Sequence, residues 1–178
     1  MPEPSQPFDP EAILAALERH RVRYVLIGGI AAVTRGARLL TEDVDITPAA
    51  DLDNLERLAD ALRELDAQIR IDATQLSRVP LPFDAHLLAA NEIWNLATRH
   101  GKLDIVLRPR GFERGFEELR PGATRERIGE GLRIYVASVD QLIRTKEAAG
   151  RAKDREAVAE LRRLRDIARR HEPPGLER

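Results

Sequence analysis

The chain has 178 residues, 43% of them hydrophobic and 33% charged, with a formal net charge of -1 and no cysteine. That length suits one ordinary domain, or a domain with a small helical appendage, and its apolar content suffices for a core. The composition excludes disulfides and thiolate metal sites, a globally basic nucleic-acid binder, and, with no run of ~18 apolar residues, a membrane span.

The N-terminal Met1-Pro2-Glu3-Pro4 lacks the basic-then-apolar order of a secretion signal, and a cytoplasmic location is expected. Only Lys102, Lys146 and Lys153 among the 29 basic residues are lysines, and the arginine excess carries no functional reading. Residues 1–8 read as a flexible lead-in. Asp9-Pro10-Glu11 predicts a helix start: an N-cap acceptor, proline at the first helical position and an acid facing the dipole. Ile13, Leu14 and Leu17 form its apolar stripe, and the helix should stop near His20. Tyr24–Ile27 is a short apolar run ended by Gly28-Gly29, the pattern of a buried strand. Residues 30–34 are expected to begin a helix closed by Gly36, and residues 44–47 form a second strand stopped by Pro48.

Leu52, Leu55, Leu58, Ala59, Leu62 and Leu65 recur at helical spacing, which predicts an amphipathic helix over 51–66. Residues 69–71 form the next strand. The stretch 73–93 is the least legible, with a short helix expected after Asp84. Residues 94–98 and 102–107, joined by Arg99-His100-Gly101, read as a hairpin with the glycine in its turn. Pro109 ends it, and a short helix is expected around 111–119. Residues 134–136 form a last strand, paired with 125–128 across Gly129-Glu130-Gly131.

Ser138 and Gln141 make a capping-box pattern that opens a helix over 139–149. A basic connector, residues 150–153, leads to a long helix after Asp154 with Val158, Leu161, Leu164 and Ile167 turned inward. The expected fold class is α+β: a small mixed sheet flanked by helices, comprising a core over 9–137, a C-terminal helical element over 138–172 and a tail over 173–178.

The chemistry concentrates between Val25 and Thr47: a strand, Gly28-Gly29, thirteen residues, then Asp43-Val44-Asp45 on a strand. Strand side chains alternate faces, so Asp43 and Asp45 point the same way around a buried Val44. Like charges on one face are costly unless a cation lies between them. Oxygen-only ligands suit a hard ion such as Mg²⁺, which combines carboxylates with waters and substrate phosphates. Glycines without Cβ let a backbone approach a triphosphate and present N–H groups to it. Each piece alone has an ordinary explanation, since Asp-x-Asp often caps an element and Gly-Gly is usually a turn. In this order, within strand–helix–strand context, the combination is far more specific.

Gly28-Gly29 followed by Asp43-Val44-Asp45 resembles the hG[GS]…Dh[DE]h pattern of the DNA polymerase β-like nucleotidyltransferase superfamily. Arg38-x-x-Thr41 before Asp43 resembles, more narrowly, the R-x-T-x-D-h-D run of the AbiEii-type and minimal nucleotidyltransferases, which include toxins of toxin–antitoxin pairs. Here one extra residue separates the arginine from the threonine. The resemblance implies transfer of a nucleoside monophosphate from an NTP to a hydroxyl-type acceptor on RNA, protein or a small molecule. It also implies two Mg²⁺ ions held by Asp43, Asp45 and Asp104, the last also serving as, or assisting, a base. Gly28, Gly29, Arg38 and Thr41 would position phosphates. Lys146, Arg151 and Lys153, similar to a lysine-bearing helix and an R-x-K-D segment of that family, would neutralise the triphosphate or the departing pyrophosphate. Asp154 would be structural, capping the last helix and pairing with one of these cations. A partner or antitoxin protein is implied by the resemblance alone. A catalytically silent module that binds NTP or a partner is the alternative on the same fold.

The plainer readings, placed behind the catalytic one for Asp104, are a solvated edge-strand acid for Asp104, an exposed helix lysine for Lys146, and complements to a helix C-terminus for Arg151 and Lys153. The short region after residue 138 disfavours an enzyme with large RNA-binding domains. His20, His86, His100 and His171 lack metal-ligand spacing. Gly111 to Gly115 lacks the strand and acidic partner of a dinucleotide site. The arginines of the last helix alternate with acids, the pattern of a solvated face.

Overall fold

The structure, a computed structural model, describes residues 7–70 and 82–171. In chain order it comprises α1 (Pro10–Arg19), β1 (Tyr24–Ile27), α2 (Gly28–Thr34), β2 (Asp43–Pro48), α3 (Leu52–Glu64), β3 (Gln68–Ile69) and α4 (Ala85–Ala89). There follow β4 (Ile93–Thr98), β5 (Gly101–Val106), α5 (Phe116–Leu119), β6 (Thr124–Ile128), β7 (Leu132–Val136), α6 (Val139–Ala149) and α7 (Arg155–His171). The strands form one sheet in the order β3-β4-β5-β2-β1-β7-β6. Two pairings, β1 with β7 and β2 with β5, are parallel and the rest antiparallel. The molecule is α+β with a mixed sheet and a C-terminal helix, as expected.

Local chemistry explains most of the boundaries. Asp9 accepts from the Ala12 N–H at 3.0 Å, Asp51 from Asn54 at 3.1 Å and Asp84 from Leu87 at 2.7 Å. Each satisfies an otherwise orphaned donor at a helix start. The Ser138–Gln141 capping box is formed in both directions. Ile13, Leu14 and Leu17 of α1 and Leu55, Leu58 and Leu62 of α3 are fully buried. They join Leu142 and Ile143 of α6 and Leu161 of α7 in one continuous core. Strand alternation supplies the sheet's share of that core: Val44, Ile46, Trp94, Leu96, Leu103 and Ile105 are buried, while Asp43, Asp45, Asn95, Lys102 and Asp104 occupy the other face.

Two polar groups, buried Asn54 and half-buried Arg35, fasten the sheet. Asn54 accepts from the Arg23 N–H and donates to the carbonyls of Arg23 and Ala49. Arg35, just after α2, donates to the Ala137 and Val136 carbonyls, to Glu126 Oε1 and to Thr124 Oγ1. That guanidinium ties α2 to the β6–β7 hairpin, and its loss would leave several acceptors unpaired.

Some expected boundaries move. The helix expected from residue 30 begins at Gly28, because packing against β1 and β2 outweighs the poor helix propensity of two glycines. Pro48 does not stop β2 but ends it, in register with Tyr24. Gly101 belongs to β5, opposite Thr98, and the turn is Arg99-His100. Of the helix expected over 111–119 only Phe116–Leu119 forms. Gly115, at φ +54, precedes it, and a Cβ there would lie 2.1 Å from the Leu107 carbonyl oxygen. In α7, Leu161 is buried but Ile167 is exposed, since the helix runs past the core it packs on. Residues 71 and 73–81 lie outside the described residues, and the short helix expected after Asp84 forms as α4.

Candidate functional site

The glycine pair and the acids meet where β1, β2 and β5 run side by side. Asp45 lies opposite Ile27 on β1 and opposite Asp104 on β5, while Asp43 lies opposite Lys102. The parallel β2–β5 register thus sets three carboxylates on one face, with one oxygen of each within 4.8 Å of the others. Asp43, Asp45 and Asp104 are all only partly exposed.

Gly28 has φ +68, and a Cβ there would fall 2.1 Å from Asp45 Oδ2; one on Gly29 would fall 2.5 Å from Thr41 Oγ1. Gly28 is therefore needed by the packing of Asp45, and Gly29 by that of Thr41. The Gly29 N–H donates to Asp45, and Thr41 Oγ1 donates to Asp43 Oδ1 at 3.0 Å. Thr41 and the glycines thus orient the two aspartates.

Electrostatically the cluster is unbalanced. Burial, then the charges of Asp43 and Asp104, push the Asp45 carboxyl up to about 7, against the opposing pull of Lys146 and the Gly29 N–H. Burial also raises Asp104, with Arg70 pulling it down and Asp43 pushing it further up. Three carboxylates so close, each opposing its neighbours' ionisation, fit a hard divalent cation by donor type and by charge.

The expected phosphate-binding residues divide. Lys146, at 16% side-chain exposure, lies 3.3 Å from Asp154 Oδ1, and its charge acts on Asp45. Arg151 holds Asp154 Oδ2 at 2.7 Å. Asp154 itself is 5% exposed. Burial works against its charge, but the hydrogen bond from Arg151 and the charge of Lys146 outweigh that and hold it below the ordinary carboxylate range. It lies in a 3-10 turn, Ala152–Asp154, that leads into α7. Lys146, Arg151, Arg155 and Arg162 border a cleft of ≈ 350 Å³ between α6 and α7. Lys153 is exposed on the turn. Arg38 is exposed too, and its backbone N–H donates to Glu160 at 3.1 Å, which ties the loop before β2 to α7 rather than to the acids. A larger cavity, ≈ 610 Å³, is bordered by Glu92, Arg108, Glu113 and Arg114 and contains none of the acids.

Two residues escaped the sequence reading. Arg70, just after β3, places Nη2 2.8 Å from Asp104 Oδ1. Lys102, opposite Asp43, also lowers Asp104. The pairing of β5 with β2 could have pointed to Lys102, two residues before Asp104 on the same face. No sequence signal marks Arg70, whose role arises from sheet order alone.

No protein-family model matches the chain, and the search of curated proteins finds no match. Solved structures do resemble it. A Thermotoga maritima protein assigned as a nucleotidyltransferase aligns over 90% of this chain and 91% of its own at TM-score 0.51 and 18% identity. The antibiotic-resistance factor ANT(2'')-Ia aligns over 90% of this chain and 89% of its own at TM-score 0.54 and 15% identity. Its complex with adenylyl-2''-tobramycin aligns over 92% and 96% at TM-score 0.51 and 14% identity. The chain has, over nearly its whole length, the fold of solved nucleotidyltransferases.

Proposed function

We propose that the protein is a Mg²⁺-dependent nucleotidyltransferase that moves a nucleoside monophosphate from an NTP to a hydroxyl acceptor. The observation that carries this reading is the three-carboxylate cluster, built against a glycine pair on a sheet shared with such enzymes. Asp43, Asp45 and Asp104 would hold the metal, which when bound supplies neutralisation and alignment of the phosphates. Thr41 and Gly29 keep Asp43 and Asp45 oriented. Asp104 takes the proton of the acceptor hydroxyl as its oxygen bonds to the α-phosphorus. The bond to the bridging oxygen breaks and pyrophosphate leaves. Lys146, whose charge reaches Asp45, and Arg151, on the cleft rim, would offset the charge of the phosphates. Positioning and charge neutralisation carry most of such a reaction.

The near-complete overlap with ANT(2'')-Ia, solved with an adenylylated aminoglycoside, favours a small-molecule hydroxyl as acceptor. The AbiEii-type motif supports a toxin acting on RNA or protein beside an antitoxin. A silent NTP-binding module is disfavoured because all three acids are present and converge. Purified protein incubated with each α-³²P-NTP, Mg²⁺ and separate pools of amino sugars, total RNA and cell protein distinguishes these acceptors. Label is expected on one pool with wild type and on none with Asp43→Asn. Equal labelling by the Asp43→Asn variant would reject the assignment.

A further inference from the structure

Among the described residues, Asp104 is the one member of the acid cluster in an ion pair. Arg70 Nη2 lies 2.8 Å from its Oδ1, and the two side chains are only 18% and 16% exposed. The pair is anchored at both roots. The Arg70 N–H donates to the Asn95 carbonyl at 2.9 Å, and Asn95 stands directly opposite Asp104 in the β4–β5 register. The other cations nearby are otherwise engaged, Lys146 with Asp154 and Lys102 with Glu42. Three carboxylates therefore share one guanidinium in direct contact, and that contact is with the third acid alone.

We propose that Arg70 is a positioning residue acting as a resident counter-cation: it holds one oxygen of Asp104 and competes with an incoming divalent cation, so setting the site's cation affinity. The inference rests on the metal-binding reading of the acid cluster. Its physical basis is simple. A mostly desolvated ion pair strongly disfavours a free Asp104 carboxylate, so Arg70 keeps that side chain oriented when no cation is present. The same fixed positive charge repels a second cation entering within a few ångströms. Affinity is given up in exchange for a site already arranged, and release of the cation becomes easier.

The test is titration of the full chain with MnCl₂ by calorimetry, alongside thermal melts in EDTA and in saturating Mn²⁺. Arg70→Gln is expected to bind Mn²⁺ roughly tenfold more tightly than wild type, from the lost repulsion, and Arg70→Lys to stay close to wild type. Arg70→Gln should melt lower than wild type in EDTA but gain more from Mn²⁺. A purely structural role would lower the melting temperature equally in both conditions and leave affinity unchanged, which overturns the proposal. Weaker binding in Arg70→Gln overturns it as well. Should that variant fail to fold, the Arg70 Nε–H resonance of ¹⁵N-labelled wild type is followed during Mg²⁺ titration. It should move with the binding midpoint, and a stationary signal overturns the inference. Mn²⁺ binding that survives in Asp43→Asn rejects the metal centre itself. Binding lost in Asp43→Asn yet indifferent to Arg70→Gln rejects only the role of Arg70.

Discussion

Around Asp154, one buried carboxylate meets two cations; around Asp45, three carboxylates meet one guanidinium. The first is gathered from residues within eight positions of one another, the second from residues distant in the chain, and they treat burial in opposite ways. At Asp154 the penalty of desolvation is outweighed locally and the acid stays charged. At Asp45 it is reinforced by like charges, and the carboxyl is pushed up to about 7. A cluster of the first kind completes itself and holds α6 to the turn before α7. One of the second kind keeps an uncompensated charge, which supports the proposed cation site rather than a strut.

Replacing members of each cluster sharpens that contrast. The largest effect is expected at Asp45. Its folded-state pKa is raised, so the folded protein binds that proton more tightly than the unfolded chain does. The resulting stability is fully present below the ordinary carboxylate value and is lost as pH rises through about 7, at about 1.4 kcal/mol for each pH unit crossed. Metal-free wild type should therefore melt progressively lower from about pH 4 to pH 7 and level off above that. Asp45→Asn should remove the decline and melt higher than wild type at pH 8 in EDTA, while losing transfer by about 10³-fold or more. A flat wild-type profile in EDTA would contradict the charge imbalance.

Asp154→Ala should behave in the reverse sense. It strands Lys146 in a largely buried position and is expected to cost roughly 2–3 kcal/mol after allowance for the exposure of Arg151. This amounts to about 5–10 °C of melting temperature, with no rescue by divalent cations. A smaller loss would mean that the ion pairs contribute little to the fold, and rescue by Mg²⁺ would mean that Asp154 acts with the acid cluster. The smallest effect is expected at exposed Lys153: Lys153→Ala should leave stability unchanged within about 0.5 kcal/mol, and a large rise in the KM for NTP would show that it reaches the triphosphate.

How much of this was visible beforehand follows the range of the forces involved. The capping box at Ser138 and Gln141 placed α6 at 139–149, because capping acts within one turn of helix. The acids and the glycine pair were legible as a motif, and strand alternation put Asp43 and Asp45 on one face. Asp104 needed the further step of sheet order, which the motif resemblance supplied. Arg70 was invisible: β3 is two residues long, and only the β3-β4-β5 neighbour relation brings its guanidinium to Asp104. The start of α2 at Gly28 goes unread because glycine propensity argues for a turn, whereas packing against β1 and β2 decides the matter, with the glycines leaving room for Asp45 and Thr41. The inward turn expected of Ile167 failed because periodicity identifies a stripe but not where the surface it covers ends.

The parallel pairing of β2 with β5 also bears on when the site can exist. Antiparallel neighbours can zip up from a tight turn, but these two strands meet only after the chain has passed through α3, β3, the region before α4, and β4. Such non-local closure carries a larger entropic cost and forms slowly relative to hairpins and helices. Asp45 and Asp104 therefore become neighbours only once that crossover has closed. A nascent chain released short of β5, or a fragment cleaved before it, would hold the glycine pair and two of the acids without the third, so charge crowding at the centre would report on complete folding.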